Sequence, residues 1–199
     1  APQDFDLIIL PGGASHGDYL RPGALAARSK VMNSILDAAK AQKCILGIGN
    51  GFQILLEAGL LPGAVLINKN LKFHCDDVFL RVENSDTPFT GLYKKGEVIR
   101  LNLACKYGNY YTDNETIEQL KTKNKIILTY CDENGNPIKE ANPVGSLENI
   151  AGIINSEGNI LGLMPHPERC AEEILGNTDG LRIFKSILQY VEGGKVRGR

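Results

Sequence analysis

The sequence contains no C-x-x-C pair and no H-x-x-x-H pair. Its five cysteines, Cys44, Cys75, Cys105, Cys131 and Cys170, are odd in number and scattered. These absences argue against a zinc site and a disulfide framework, and for reduced thiols in a cytoplasmic protein. No metal is expected. No apolar run reaches the length of a membrane span, and no signal peptide, internal repeat or low-complexity segment is legible. Charge imbalance is missing too. The 22 Lys and Arg against 23 Asp and Glu leave a net charge of −1, which gives no general attraction to nucleic acid or an acidic membrane. The basic tail, Lys195, Arg197 and Arg199, reads as a frayed terminus.

What is present suits one α/β domain. The 199 residues are 43% hydrophobic, enough for a substantial core. The organising stretch runs from Cys44 to Leu56. An apolar run, Cys44 to Ile48, predicts a buried strand. Gly47, Gly49 and Gly51 follow at every second position, then Phe52, Leu55 and Leu56 at helical spacing. Such a strand–turn–helix lifts its central residue clear of the sheet and aims helix N–H groups at what sits there. Two chemistries use that geometry. One is a nucleophile elbow, whose central residue attacks a carbonyl. The other is a phosphate cradle. The central residue is Gly49, which has no side chain, and this favours the cradle. However, Phe52 breaks the G-x-G-x-x-G pattern, and the P-loop Lys-Ser/Thr is absent. A tight turn without a ligand is the plain alternative.

Upstream, Leu7 to Leu10 predict a short strand closed by Pro11-Gly12-Gly13, whose N–H groups could bind an oxyanion. A polar loop, residues 15–23, follows. Residues 24–42 read as one helix with Ala27, Val31, Ile35 and Ala38/Ala39 as its apolar stripe. Strand–helix–strand implies a parallel pair with a right-handed crossover, placing Gly12-Gly13 and Gly49-Asn50 at one sheet edge. The middle third changes character. Residues 78–83 and 98–103 alternate as antiparallel strands do. Asp113 or Asn114 could cap a helix ending near Lys121. Ile126 to Cys131 reads as a strand, and residues 150–154 and 160–164 as a hairpin around Ser156-Glu157-Gly158-Asn159. A closing helix over 180–191 would bury Leu181, Phe184, Leu188 and Val191.

A second constellation follows the hairpin. In Met164-Pro165-His166-Pro167-Glu168-Arg169, two prolines fix the backbone around His166, and Glu168 lies two residues on. An imidazole oriented by a carboxylate is the base-and-orienter pair of nucleophilic catalysis. A lone loop histidine is more often structural. His16 and His74 have no such frame and read as structural, and Cys75 and Cys105 do not sit on an elbow.

The motifs Leu10-Pro11-Gly12-Gly13, residues 17–23 (GDYLRPG), residues 46–53 (LGIGNGFQ), residues 79–84 (FLRVEN), residues 108–111 (GNYY), residues 145–153 (GSLENIAGI) and residues 162–169 (GLMPHPER) resemble a class I glutamine amidotransferase domain. The resemblance spans 1–199 as one domain. It is nearest to the glutaminase subunits of phosphoribosylformylglycinamidine synthases. It implies an open, mostly parallel, flavodoxin-like sheet flanked by helices, with additional antiparallel strands. It also implies a Cys-His-Glu mechanism: an elbow cysteine attacks the glutamine side-chain amide, His166 relays protons and Glu168 orients it. Gly13 and Asn50 would supply oxyanion N–H groups, and Gln53 would line the substrate site. Ammonia would pass to a large ATP-dependent synthetase subunit, often accompanied by a small third subunit. ATP and magnesium are expected on that partner, and no cofactor on this chain.

Two departures stand out. Gly49 occupies the nucleophile position, so no thioester can form and glutaminase activity is expected to be negligible. Glutamine binding is expected to survive, and the glycine relieves elbow strain worth about 1–3 kcal/mol. Second, the family's opening strand–helix unit is absent before Leu7, which would leave an unpaired sheet edge. In addition, Cys105-Lys106-Tyr107 stands where the family usually carries a histidine-containing run. Three readings remain open: a glutaminase subunit disabled at its nucleophile, a non-catalytic glutamine-binding or scaffolding subunit, and a phosphate or nucleotide binder.

Overall fold

The computed structural model describes residues 4–197, with side chains through residue 193. Four helices are named here: α1 (Val31–Lys40), α2 (Asn50–Glu57), α3 (Asn114–Thr122) and α4 (Leu181–Arg197). The strands are β1 (Leu7–Leu10), β2 (Cys44–Ile48), β3 (Ala64–Leu66), β4 (His74–Val82), β5 (Val98–Cys105), β6 (Asn109–Tyr111), β7 (Ile126–Cys131), β8 (Ile150–Ile154) and β9 (Ile160–Leu163). Seven strands form one sheet in the order β1-β2-β9-β8-β7-β4-β5, and β3 pairs with β6 apart from it.

The α/β class, the open sheet and the flanking helices are as read from the sequence. Within the sheet β1–β2 and β2–β9 are parallel, and β9–β8, β8–β7, β7–β4 and β4–β5 are antiparallel. The antiparallel joins are thus the more numerous. β8 and β9 are joined by a short hairpin return, which makes them antiparallel neighbours, while longer segments link β4 to β5 and β7 to β8. The parallel strands β1, β2 and β9 form the half of the sheet that carries the glycine turn. β1 lies at the sheet edge, with β2 as its one paired neighbour among the described residues.

All residues of β2, β8 and β9 are buried, which is why they read as continuous apolar runs, while β1 at the edge is only partly buried. The β8–β9 hairpin is locked by amides. Asn155 Oδ1 accepts from the N–H groups of Gly158, Asn159 and Ile160, and Asn159 Nδ2 donates to Ala39 O and Lys43 O. One turn therefore also fixes the end of α1 and the entry to β2.

Two helix faces differ from expectation. Residues 24–42 are broken: a short 3-10 turn, Ala26–Arg28, precedes α1. The break resets the phase, so Met32 is buried with Ile35, Ala38 and Ala39, and Val31 is 60% exposed. In α4 Ile183 and Ile187, four apart, are buried with Ser186, and Phe184 and Val191 pack partly buried against the core as expected, while Leu188 is 57% exposed. Ser186 Oγ accepts from the Leu92 N–H and donates to Arg182 O, which fixes the rotation of the helix. α4 runs on through Lys195 to Arg197 where a frayed tail was expected, and Arg199 lies outside the described residues.

The glycines around the turn divide their work. A Cβ on Gly47 would lie 2.4 Å from Leu55 Cδ1, one on Gly162 2.1 Å from Phe52 Cδ2, and one on Gly51 1.9 Å from the backbone oxygen of Leu10. These three let α2 lie directly on β1, β2 and β9. The Gly51 clash is with backbone, which cannot rotate away. Gly51→Ala is therefore expected to cost about 3 kcal/mol or more. A thermal melt of the variant checks this, and an unchanged midpoint would contradict it.

Candidate active site

Gly49 sits between β2 and α2 with φ 52° and ψ −108°, in the left-handed half of backbone space. The bend raises its Cα above the sheet. A Cβ built there would lie 3.2 Å from His166 Cε1, 3.3 Å from His166 Nε2 and 3.7 Å from the Gly12 Cα. The turn after β1, the elbow after β2 and the segment after β9 therefore meet at one point, at the carboxyl ends of three parallel strands. Open α/β sheets place ligands there.

His166 is 4% exposed. Its backbone N–H donates to Asn102 O at 2.7 Å, so the segment after β9 hangs on β5. Its Nδ1 is 2.6 Å from Glu168 Oε1. An ionised carboxylate only accepts, so Nδ1 carries the proton and Nε2 is left facing Gly49. Burial alone would raise the Glu168 carboxyl. The His166 hydrogen bond and charge outweigh it, helped by the Glu168 backbone N–H and Arg169, and hold the carboxyl below its ordinary range. Gly12 is glycine for a steric reason: a Cβ there would sit 2.4 Å from the imidazole.

Asn50 and Gln53 lie one helical turn apart and are both buried. Asn50 Oδ1 accepts from the Ser15 N–H at 3.1 Å, Asn50 Nδ2 donates to Gln53 Oε1 at 2.9 Å, and Gln53 Nε2 donates to Tyr107 O at 2.8 Å. This chain of amides ties the loop after β1 to the segment after β5 through α2. The backbone N–H groups of Gly13 and Asn50 are not taken up by another hydrogen bond among the described residues. Gly13, Gly49, Asn50, Gln53 and His166 all line one cavity of about 100 Å³, with Asp18, Cys105, Lys106 and Tyr107 among its other walls. Larger clefts of about 830 and 460 Å³ lie elsewhere and contain none of these groups.

The phosphate-cradle reading does not suit this geometry. The Gly49 N–H donates to Leu163 O at 2.8 Å, and the imidazole of His166 covers the elbow where an anion would approach.

No cysteine thiol stands at the elbow. Cys44 is buried at the start of β2, five residues from the elbow, and burial raises its pKa. Cys105 does border the cavity, but burial pushes its thiol up to about 12 despite a hydrogen bond with Asn68, which keeps it protonated at neutral pH. All five cysteines are free. The sequence pointed to His166, Glu168, Gly13, Asn50 and Gln53, and all but Glu168 border the cavity. Glu168 reaches it through His166. Asn102 had no local signal, and its place is set by β5; Asp18 and Tyr107 lie in stretches the sequence singled out, without a role for either.

Comparison with known proteins gives the family. Residues 2–191 match the model of the CobB/CobQ-like glutamine amidotransferase domain. The phosphoribosylformylglycinamidine synthase subunit PurQ of Pseudothermotoga lettingae is 56% identical over 97% of this chain and 81% of its own length. That of Methanosarcina barkeri is 53% identical over 94% and 81%. In the solved structure of PurLQS from Thermotoga maritima, a chain 49% identical superposes with a TM-score of 0.83, covering 94% of this chain and 81% of that one. The chain therefore belongs to the class I glutamine amidotransferases, in the family of phosphoribosylformylglycinamidine synthase PurQ subunits.

Proposed function

We propose that the chain is the glutaminase subunit of a phosphoribosylformylglycinamidine synthase, disarmed at its nucleophile. The observation that carries this is the empty position at Gly49: its Cβ site is 3.3 Å from His166 Nε2, and His166 Nδ1 is 2.6 Å from Glu168. That is a nucleophile–base–orienter line with the nucleophile missing.

With a thiol on the elbow, the chemistry follows from position. His166 Nε2 takes the thiol proton, and the sulfur attacks the side-chain amide carbon of glutamine. The oxyanion is held by the N–H groups of Gly13 and Asn50. His166 returns the proton to the leaving nitrogen, ammonia departs, and water cleaves the thioester to glutamate. Glu168 holds the imidazole in its working tautomer throughout. As the chain stands the first bond cannot form. The amide chain through Asn50 and Gln53 still shapes the site, so glutamine is bound but not cleaved. A purely scaffolding role is the second reading, and Gly49 is the observation in its favour.

The partner is a large synthetase subunit carrying ATP and magnesium, accompanied by a small third subunit, all in the cytoplasm. The five free thiols suit that compartment. Assembled with these subunits, the complex is expected to convert formylglycinamide ribonucleotide with ammonium salts but not with glutamine. A coupled ATP-consumption assay checks this. Glutamine-supported turnover comparable to the ammonium rate would refute the disarmed reading, and failure to assemble would refute the proposed partner.

A further inference from the structure

The main sheet is capped from outside along β5 but lies open along half of β4. On β5, the Arg100 N–H donates to Asp179 Oδ2, Arg100 O accepts from Asn177 Nδ2, and Asn102 O accepts from the His166 N–H. β4 pairs with β5 from His74 to Arg81, but with β7 only from Phe79 to Val82. Residues 74–78 therefore have a strand on one side only. We propose that this open half-edge takes up an extended segment of a partner protein as an added strand, and that the segment carries Lys or Arg at alternate positions.

Hydrogen bonds at the far end of β4 fix which way its backbone groups point. The Val82 N–H donates to Glu97 O and Val82 O accepts from the Gly96 N–H, on the β5 side. The Glu83 N–H donates to Ile127 O, on the β7 side. Backbone groups of an antiparallel strand alternate between its two neighbours. Even-numbered residues of β4 thus face β5, and Cys75 and Asp77 face the line along which β7 would continue. β7 ends at Cys131, however, and a turn over residues 132–136 leads the chain away. The Asp77 N–H, left without a strand, donates to Asp76 Oδ1 at 2.9 Å. Cys75, Asp76 and Asp77 are all exposed.

The vacated lane is a groove of about 480 Å³, lined by β4, the end of β7 and the segment 138–143. Five residues of strand at about 3.4 Å each give an edge of about 17 Å. Adding a strand to such an edge draws affinity from backbone hydrogen bonds and selectivity from alternate side chains.

Charge names the occupant. Asp76, Asp77, Asp132, Glu133 and Glu140 line the groove, and no Lys or Arg does. Asp77 is shared with Arg100 at 3.6 Å, and Asp132 accepts from N–H groups of its own turn. Asp76, Glu133 and Glu140 have no ion pair among the described residues. Successive side chains of a strand project to opposite faces, so Asp76 lies on the face away from Asp77. Cations at every second position of an added strand share one face and can meet it there. Like charges opposed across a strand pair are destabilising. A second copy of this edge would bring the same carboxylates, so the occupant is a different, basic chain.

The probe is a synthetic peptide, acetyl-Thr-Lys-Val-Lys-Val-Lys-Thr-amide, compared with its counterpart carrying Glu in place of each Lys. Each is titrated into the isotope-labelled full chain and followed by NMR. The Lys peptide is expected to bind at least about tenfold more tightly than the Glu peptide. At saturation it is expected to slow hydrogen exchange of the Cys75 amide at least about tenfold. Asp76→Asn combined with Glu140→Gln is expected to weaken the Lys peptide about threefold or more, and circular dichroism melts establish that this variant is folded. Absence of binding, equal affinity for the two peptides, or unchanged affinity in the folded double variant overturns the proposal. So does binding that leaves exchange at Cys75 unaltered, which would be attraction between charges without strand pairing. None of these readouts involves the elbow, so they stand or fall apart from the glutaminase reading.

Discussion

Gly49→Cys is expected to release ammonia from L-glutamine at least about 10,000-fold faster than the chain as it stands. Removing the nucleophile from a triad leaves only the oxyanion donors and binding, and that is the condition the proposed function assigns to this chain. Everything the introduced thiol needs is within reach: Nε2 of His166 beside it, the N–H groups of Gly13 and Asn50 unengaged, and Glu168 behind the imidazole. Cys105 cannot stand in, because its thiol is buried and held protonated.

The same variant is expected to be less stable. Position 49 has φ 52°, and the new Cβ lies 3.2 Å from His166 Cε1, so the ring must give by a few tenths of an ångström. An L residue in such backbone costs about 1–3 kcal/mol, which lowers the melting midpoint by about 2–4 °C per kcal/mol in a domain of this size. Gain of activity with loss of stability is the signature of a restored elbow. Gain of neither would mean that the pocket has another use.

On the Gly49→Cys background, His166→Ala is expected to cut kcat by about 100- to 10,000-fold, since the general base and acid are one group. Glu168→Gln should cost less, because the imidazole stays but its tautomer is no longer enforced. The pH dependence separates the two. The Glu168 carboxyl is held below its ordinary range. Its contribution to stability is therefore complete above the unfolded carboxylate pKa, and is lost as pH falls through the lowered folded value. The stability gap between Glu168→Gln and its parent should persist at neutral pH and close only in acid. Denaturant melts across that range check it, and a gap that closes between pH 6 and 8 would contradict it.

Local signals in the chain made much of this legible. β1, β2, β7 and β8 lie where apolar runs bounded by turn residues placed them, and Asp113 caps α3 through Thr116 N–H as its position suggested. His166 and Glu168 were readable because they share one short proline-framed segment. The exposure of Val31 in α1 and of Leu188 in α4 was not. Both depend on what rotates the helix: a 3-10 break before Val31, and the Ser186 bond to Leu92, ninety-four residues away. The glycine spacing was read as one device, but only Gly49 bends the chain, while Gly47 and Gly51 make room for α2. Asn102, which carries the His166 backbone, gains its meaning from a strand distant in sequence. No period or motif marks such pairs.

The most direct measurement is acid-quenched mass spectrometry of the Gly49→Cys protein mixed with L-glutamine. A γ-glutamyl group is predicted on the peptide that spans position 49, diminished by His166→Ala and absent from the unaltered chain. A glutamyl adduct on the Cys105 peptide, or on the unaltered chain, would contradict the claim that Gly49 marks a vacated nucleophile position.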